Sequence, residues 1–197
     1  MEIQRPRSNQ EMPPHAKRVF KGIVFDVYQW EQELFDGSLQ TFEKLKRPDT
    51  VMIIPVLDNG KILVANQEQP GKVPFIGLLG GRVDEGEDVF RAAERELKEE
   101  SGYEATEWEL FDAVQPVSKI DWVVYTLIAK NCKRTAQQSL EAGEKIDVKE
   151  VTFDEFIDIV FSRKFVDIEL KLRLLDARSH PEKMRAMREF ILGNARQ

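Results

Sequence analysis

The chain has 197 residues, of which 42% are hydrophobic and 32% charged, so we expect one core of ordinary size with room for a small N-terminal annex. Its formal net charge of −6 argues against a long nucleic-acid polymer as partner, because such binding relies on a basic surface. No apolar run is long enough to span a membrane and the N-terminus lacks the apolar core of a signal peptide, so we expect a cytoplasmic protein.

The N-terminal part of the chain predicts an arm and a small β annex. Residues 1–17 are polar and contain three prolines, which is typical of a flexible arm. Residues 18–48 predict two antiparallel strands, over 18–30 and 41–45, joined through Asp36-Gly37. The Phe and Trp side chains exceed what a small hairpin can cover alone, so we expect a homodimer contact here. The alternative is that the annex only extends the core.

Residues 49–197 alternate strands and helices and predict the main domain. The predicted strands cover residues 50–57, 61–66, 108–114, 122–129 and 146–153. Their apolar runs indicate strands buried on both faces with helices as the covers. The predicted helices near the C-terminus are 154–163, capped by Asp154, then 165–177 and 182–192. Cys132 is the only cysteine, so no internal disulfide can form and we expect a structural thiol.

A further helix is predicted in the middle of the chain, within residues 81–103. Acidic and turn-forming residues at 84–88 suit its N-terminus, and Gly102 stands where a left-handed cap would end it. Glu96, Glu99 and Glu100 lie along one edge of its apolar face. A Glu-rich helix by itself is more often a solvated surface helix. Carboxylates at this spacing repel one another, however, so a partly buried trio needs a cation, and oxygen ligands favour a hard divalent ion.

The spacing of the glutamates decides between these readings. The pattern Gly-x5-Glu-x7-Arg-Glu-Leu-x-Glu-Glu-x-Gly is matched by Gly81, Glu87, Arg95, Glu96, Leu97, Glu99, Glu100 and Gly102. It resembles the signature box of the Nudix hydrolases, which cleave nucleoside diphosphates linked to another moiety. Tyr103 stands where that family usually has an aliphatic residue. The resemblance implies an α/β fold, a Nudix-type α/β/α sandwich with a mixed sheet, to which this chain adds the N-terminal antiparallel β annex.

The resemblance also implies roles for individual residues. The implied metal ligands are the carbonyl of Gly80 and the carboxylates of Glu96, Glu99 and Glu100. Glu87 and Arg95 match the pair that braces the loop against the helix. Mg²⁺, with Mn²⁺ as a possible substitute, would stabilise the charge that grows on the oxygens of a pyrophosphate while water attacks one phosphorus.

Outside the box the chain looks like the branch of ADP-ribose and nucleoside-diphosphate-sugar pyrophosphatases. The β annex and Pro116 fit that branch, in which a loop glutamate acts as base or third metal ligand. Glu144 matches this glutamate, and Glu141 is its rival. The chain departs from the branch in having Gln67-Glu68-Gln69 in place of Gln-x-Arg, and in residues 77–81 in place of Glu-x-Pro-Ala-Gly.

We therefore expect metal-dependent hydrolysis of a nucleoside diphosphate derivative, ADP-ribose or a nucleoside-diphosphate sugar, to nucleoside monophosphate and sugar phosphate. One alternative is a nucleoside triphosphate pyrophosphatase or a cap-type hydrolase. Another is a catalytically idle sensor that binds a nucleotide with the same fold. The intact trio Glu96, Glu99 and Glu100 argues against the sensor, because a pure binder has no need of it.

Overall fold

The computed structural model describes residues 3–193 of the chain. The strands are β1 (Lys17–Lys21), β2 (Asp26–Glu33), β3 (Leu39–Lys46), β4 (Thr50–Leu57), β5 (Ile62–Glu68), β6 (Phe75–Gly77), β7 (Tyr103–Glu104), β8 (Glu107–Val114), β9 (Ile120–Asp121), β10 (Val124–Arg134) and β11 (Lys145–Val151). The helices are α1 (Val89–Ser101), α2 (Phe153–Val160), α3 (Ile168–Arg178) and α4 (Pro181–Leu192).

The annex is a four-stranded sheet in the order β1-β2-β3-β9. The sequence predicts one strand over residues 18–30, whereas the structure has two antiparallel strands there, with a turn in which the N–H of Gly22 donates to the carbonyl of Phe25 at 3.0 Å. Strand-forming residues continue through this turn, so the pattern does not reveal it. β9 pairs parallel with β3, so a strand from the main domain completes the annex sheet.

The main sheet is mixed and has the order β11-β5-β4-β10-β7, with β6 on β5 and β8 on β10. β4 and β10 are parallel, and β10 and β8 are antiparallel. Helix α1 packs on one face of this sheet, and α2, α3 and α4 pack on the other. The expected α/β/α sandwich with a mixed sheet is therefore confirmed.

Strand β4 shows why both faces of the sheet are buried. Val51 and Ile53 pack in the core with α1, while Ile54 and Val56 pack in the core with the C-terminal helices. Successive side chains of a strand point to opposite faces, so a continuous apolar run supplies both cores. Cys132 is also buried in the α1 core, where burial raises the pKa of its thiol to about 12, as a structural thiol requires.

The ends of α1 agree with the prediction from the sequence, whereas the start of α2 does not. Asp88 caps α1 at its start, and Gly102 ends it in the left-handed conformation that the sequence predicts. For α2 the predicted cap, Asp154, is wrong. Thr152 is the cap, and it forms a capping box with Glu155, because Glu155 is the side chain that can reach back to the N–H of Thr152. Between residues 3 and 193, no helix has the length and apolar character needed to cross a bilayer.

The N-terminal segment contacts both the annex and the main domain, although residues 3–16 contain neither helix nor strand. Arg5 donates to Asp49 and to Asp121, each at 3.0 Å. Lys44, which is buried, donates to the hydroxyl of Ser8 at 2.7 Å and to a nearby backbone carbonyl. Composition alone predicts a flexible arm and does not reveal these contacts, because their partners reach the segment only through the fold.

Candidate active site

The candidate site forms where β4 and β5 separate. The two strands pair at Val56 and Ile62, and further along the segment 79–82 lies beside β4 instead. The N–H of Ile53 donates to the carbonyl of Leu79 at 2.8 Å, and the N–H of Val51 donates to the carbonyl of Gly81 at 2.9 Å. These bonds fix the backbone around Gly80 at the middle of the sheet, next to the C-terminal half of α1.

Two glycines allow this close approach. Gly80 has φ +143°, a value that L side chains rarely adopt, and a Cβ there would overlap the carbonyl oxygen of Val51. A Cβ on Gly81 would lie 2.5 Å from Oε1 of Glu96. The first glycine therefore lets the loop pack on β4, and the second leaves room for a carboxylate of α1.

Glu100 is the most buried carboxylate of the site, with 5% of its surface exposed. Its Oε2 accepts the N–H of Gly80 at 2.6 Å. Burial, together with the negative charges of Glu96, Glu144 and Glu99, raises the pKa of Glu100 to about 8, although the bond from Gly80 opposes the shift. Within the described chain this carboxylate has no ion pair, so no side-chain cation balances its charge when it ionises.

Arg95 braces the loop against the helix. Its Nε and Nη2 donate to the two carboxylate oxygens of Glu87, each at 3.0 Å, and Nη2 also donates to the carbonyl of Arg82 at 2.9 Å. The bonds from Arg95 lower the pKa of Glu87. The geometry matches the bracing pair that the box implies, and a bidentate arginine holds both the position and the orientation of the loop.

Arg95 also binds two of the glutamates expected to hold metal. Its Nη1 lies 2.7 Å from Glu96 Oε1 and 3.2 Å from Glu99 Oε2. Burial nevertheless raises the pKa of Glu96, and the charges of Glu99 and Glu144 add to the effect of burial. The pKa values of Glu87 and Glu96 thus move in opposite directions beside the same arginine, because Glu96 is more deeply buried and also lies among other carboxylates.

In this arrangement no three acidic, His or Cys side chains of residues 3–193 converge on one point. The reason is that Arg95 holds Glu96 and Glu99, while the Gly80 N–H holds Glu100. The donors are all oxygens, which suits a hard divalent cation. The residues therefore fit such an ion once their carboxylates turn toward it.

The loop before β11 brings Glu144 to the same place. Gln138 donates to the carbonyl of Glu100 at 2.6 Å and to that of Ile146 at 3.1 Å, which ties the loop to the end of α1. Glu144 is half-buried, and its charge raises the pKa of both Glu96 and Glu100. Glu141 is exposed. No signal in the sequence singles out Gln138, because its two partners come from different elements.

A comparison with protein families identifies the class of protein. The model of the NUDIX domain matches residues 46–168, which include both glycines and all the glutamates described above. The chain therefore belongs to the Nudix family and is a Nudix hydrolase, as the box predicts. Nudix hydrolases generally use a divalent metal ion.

Three individual relatives are similar to this chain, and two of them are named for hydrolysis of ADP-ribose or ADP compounds. The chain is 29% identical over 164 residues to an ADP-ribose pyrophosphatase of Bacillus subtilis, covering 82% of this chain and 89% of the relative. It is 27% identical over 162 residues to a methanol dehydrogenase activator of Bacillus methanolicus, covering 80% and 87%. It is 30% identical over 95 residues to the ADP compounds hydrolase NudE of Escherichia coli, covering 47% and 51%.

A solved structure of an ADP compounds hydrolase superimposes on this structure with a TM-score of 0.67. The match covers 92% of this chain and 98% of the other, at 21% sequence identity. At that identity the likeness establishes the fold, and the chemistry of the site has to be argued from its own residues.

Proposed function

We propose that the protein hydrolyses the pyrophosphate linkage of a nucleoside diphosphate derivative, ADP-ribose or a nucleoside-diphosphate sugar, to nucleoside monophosphate and sugar phosphate. The observation that carries the proposal is the gathering of Glu96, Glu99, Glu100 and Glu144 around the loop at Gly80. Four carboxylates with one arginine among them favour a site for cations, and cations are what a pyrophosphate needs for binding.

Mg²⁺, or Mn²⁺ in its place, would be held by Glu96, Glu99, Glu100 and the carbonyl of Gly80. When bound, the ions neutralise charge on the phosphate oxygens and favour attack by water. Arg95 and Glu87 position the loop and do not react. Release of Glu99 from Arg95 costs little, because the side chain of Glu99 is about half exposed and Arg95 keeps both bonds to Glu87.

Glu144 is proposed as the general base or as a third metal ligand. The loop that carries it is attached to α1 through Gln138 and through the N–H of Ser139, which donates to the carbonyl of Glu99 at 2.8 Å. The side chain is half-buried and close enough to Glu96 and Glu100 to raise the pKa of each. A base must lie within reach of the attacked phosphorus. The half-buried Glu144 suits this role better than Glu141, which lies on the same loop and is exposed.

The substrate class rests on the relatives together with the site. Two relatives are named for hydrolysis of ADP-ribose or ADP compounds, and the first covers most of both chains. The chain lacks the arginine of Gln-x-Arg, having Gln69 there, and it lacks the glutamate of Glu-x-Pro-Ala-Gly, having Gly77. The proposal is therefore for nucleoside diphosphate conjugates as a class, with ADP-ribose as the first to try.

A substrate screen tests the proposed function. ADP-ribose, nucleoside-diphosphate sugars and nucleoside triphosphates are incubated with the protein and Mg²⁺ or Mn²⁺, and the products are separated. We expect nucleoside monophosphate and sugar phosphate, with no turnover after chelation of the metal. Release of pyrophosphate from nucleoside triphosphates would favour the alternative function, that of a nucleoside triphosphate pyrophosphatase. Absence of any turnover with either metal would contradict the proposal.

We also propose that the protein is a homodimer that associates through residues 18–46. Strand β1 is a sheet edge. Phe20 near its end is 60% exposed, and Ile23 in the turn that follows is 99% exposed. Apolar side chains on an unpaired edge favour association with a second copy. We expect Phe20→Asp with Ile23→Asp to give a monomer by sedimentation at micromolar concentration, while Leu172→Asp on α3 does not. A monomeric wild-type protein would contradict the proposal.

A further inference from the structure

A second group of charges lies beside the candidate site, centred on Arg47. Its guanidinium lies 4.6 Å from the ring centroid of Trp122 and 5.5 Å from that of Phe25. Its Nε is buried and has no hydrogen-bond partner among residues 3–193. Burial lowers the pKa of Arg47, and the positive charge of Arg82 lowers it further. The charge of Arg47 is therefore costly in the free protein and held in place by two aromatic rings.

Arg82 connects this group of charges to the loop at Gly80. It follows Gly81 directly and pairs with Thr50 across the backbone. The hydroxyl of Thr50 accepts the indole N–H of Trp122 at 2.9 Å, so Arg82 and the ring under Arg47 share one neighbour. The side chain of Arg82 is exposed, and within residues 3–193 neither arginine forms an ion pair.

The lack of a partner is notable in a chain with 35 acidic residues. Asp49 is two residues from Arg47 in the chain, and the carbonyl of Asp121 accepts the backbone N–H of Arg47 at 3.3 Å. Both carboxylates already bind Arg5, which donates to each at 3.0 Å. The N-terminal segment thus neutralises the acidic groups that adjoin Arg47. Two guanidinium groups remain with uncompensated charge next to the loop that contacts Glu96.

We propose that Arg47 and Arg82 bind a phosphomonoester that the substrate carries outside its pyrophosphate linkage. This inference rests on the proposed function and narrows its substrate class. A phosphomonoester bears about −1.5 to −2 charges and three acceptor oxygens, which suits two guanidinium forks. Arg82 directly follows Gly81, with about 3.8 Å between the Cα atoms, so the side chain of Arg82 starts at the loop of the candidate site and can contact the adjoining part of the substrate.

Two matched pairs of compounds test the inference. ADP-ribose 2′-phosphate is compared with ADP-ribose, and coenzyme A with dephospho-coenzyme A, because each pair differs only by a phosphomonoester. We expect kcat/KM to favour the phosphorylated member of at least one pair by about tenfold or more, the size of one or two charge-assisted hydrogen bonds. Equal values within both pairs would overturn the inference.

Variants assign the preference to the arginines. In Arg82→Gln the ratio of the two kcat/KM values falls toward one, and Arg47→Gln has the same effect if that variant folds. Arg91→Gln is the matched control, because Arg91 is an exposed arginine of α1 that pairs with Glu94, and it keeps the wild-type ratio. A ratio that stays unchanged in Arg82→Gln would show that the preference arises elsewhere, and the inference would be wrong.

Binding without metal separates this inference from the proposed function. Calorimetric titration of the wild-type protein with each compound, in the presence of a chelator, measures affinity even when no compound is hydrolysed. We expect the phosphorylated member of the favoured pair to bind about tenfold more tightly and Arg82→Gln to remove the difference. Hydrolysis that fails while this difference persists contradicts the proposed function alone. Equal affinities contradict the phosphomonoester site.

Discussion

The carboxylate of Asp167 accepts the backbone N–H of Leu78 at 2.9 Å, although Asp167 stands at the N-cap of α3. It makes no capping bond to its own helix. The carbonyl of Leu78 accepts the side-chain amide of Gln67 at 3.0 Å, so side chains hold both polar groups of this residue. Leu78 lies two residues before Gly80, and α3 and β5 therefore fix the backbone that leads into the candidate site.

This relationship predicts a pH-dependent stability. Burial raises the pKa of Asp167 from 3.8 to about 6, so the folded state holds its proton more tightly than the unfolded state. Proton binding by Asp167 therefore stabilises the folded state. This stabilisation is complete below about pH 4 and is lost as pH rises through 6, and the free energy of unfolding falls by at most about 3 kcal/mol. Asp167→Asn cannot ionise and should gain stability relative to wild type over this range. Urea unfolding at pH 4 and pH 7.5 measures the gain, and parallel pH profiles would contradict it.

Glu100→Gln should abolish turnover while the fold is kept. The buried carboxylate is expected to bind metal, and an amide cannot neutralise the cation. Since the pKa of Glu100 is raised to about 8, the metal-free wild type loses stability as pH rises from about 4.5 to 8, and the variant does not. At pH 8 without metal we expect the variant to be more stable by at least about 1 kcal/mol.

Two measurements check the Glu100 prediction. Steady-state rates at saturating Mg²⁺ should fall more than tenfold, and a variant with more than a tenth of the wild-type kcat would refute the metal assignment. Thermal unfolding should show that Mg²⁺ stabilises the wild type and has much less effect on the variant, because only a ligand that binds the folded state raises its stability.

The two glycines of the loop should fail in different ways when replaced by alanine. Gly80→Ala puts a Cβ against the rigid carbonyl of Val51 at a positive φ, so it should destabilise the fold by more than about 2 kcal/mol. Gly81→Ala meets only the end of the Glu96 side chain, which can turn away. It should keep stability within about 1 kcal/mol and lower kcat by about 10²-fold, because a carboxylate of the site is misplaced. Urea unfolding and rate measurements on both variants separate these outcomes.

Glu144→Gln and Glu141→Gln form a matched pair on one loop. If Glu144 is the base or a third metal ligand, its replacement lowers kcat by roughly 10²–10⁴-fold with little change in KM. Glu141→Gln should be nearly silent, because Glu141 is exposed and does not contribute to the raised pKa of Glu96 or Glu100. Rates at saturating Mg²⁺ decide the matter. Small and equal effects would indicate that the general base lies on α1 instead, at Glu99 or a neighbouring residue.

Local features of the chain were predictable because their causes are local. The box from Gly81 to Gly102 identified the family, and the left-handed end of α1 follows from a glycine at the C-terminal cap. The apolar runs of β4 and β5 predicted buried strands, because the hydrophobic pattern is a property of the local sequence. The turn after Gly22 and the cap of α2 were missed, since neighbouring residues with similar preferences compete at such points.

The sequence by itself determined the fold class, the family and the acidic helix, because each depends on residue types at fixed spacing along one segment. Only the tertiary structure decided which distant groups meet. It brought Asp167 to Leu78, Gln138 to the end of α1, and Arg47 onto Trp122. The physical reason is that such contacts join segments far apart in the chain, so their partners, burial and charge balance exist only after the layers have packed.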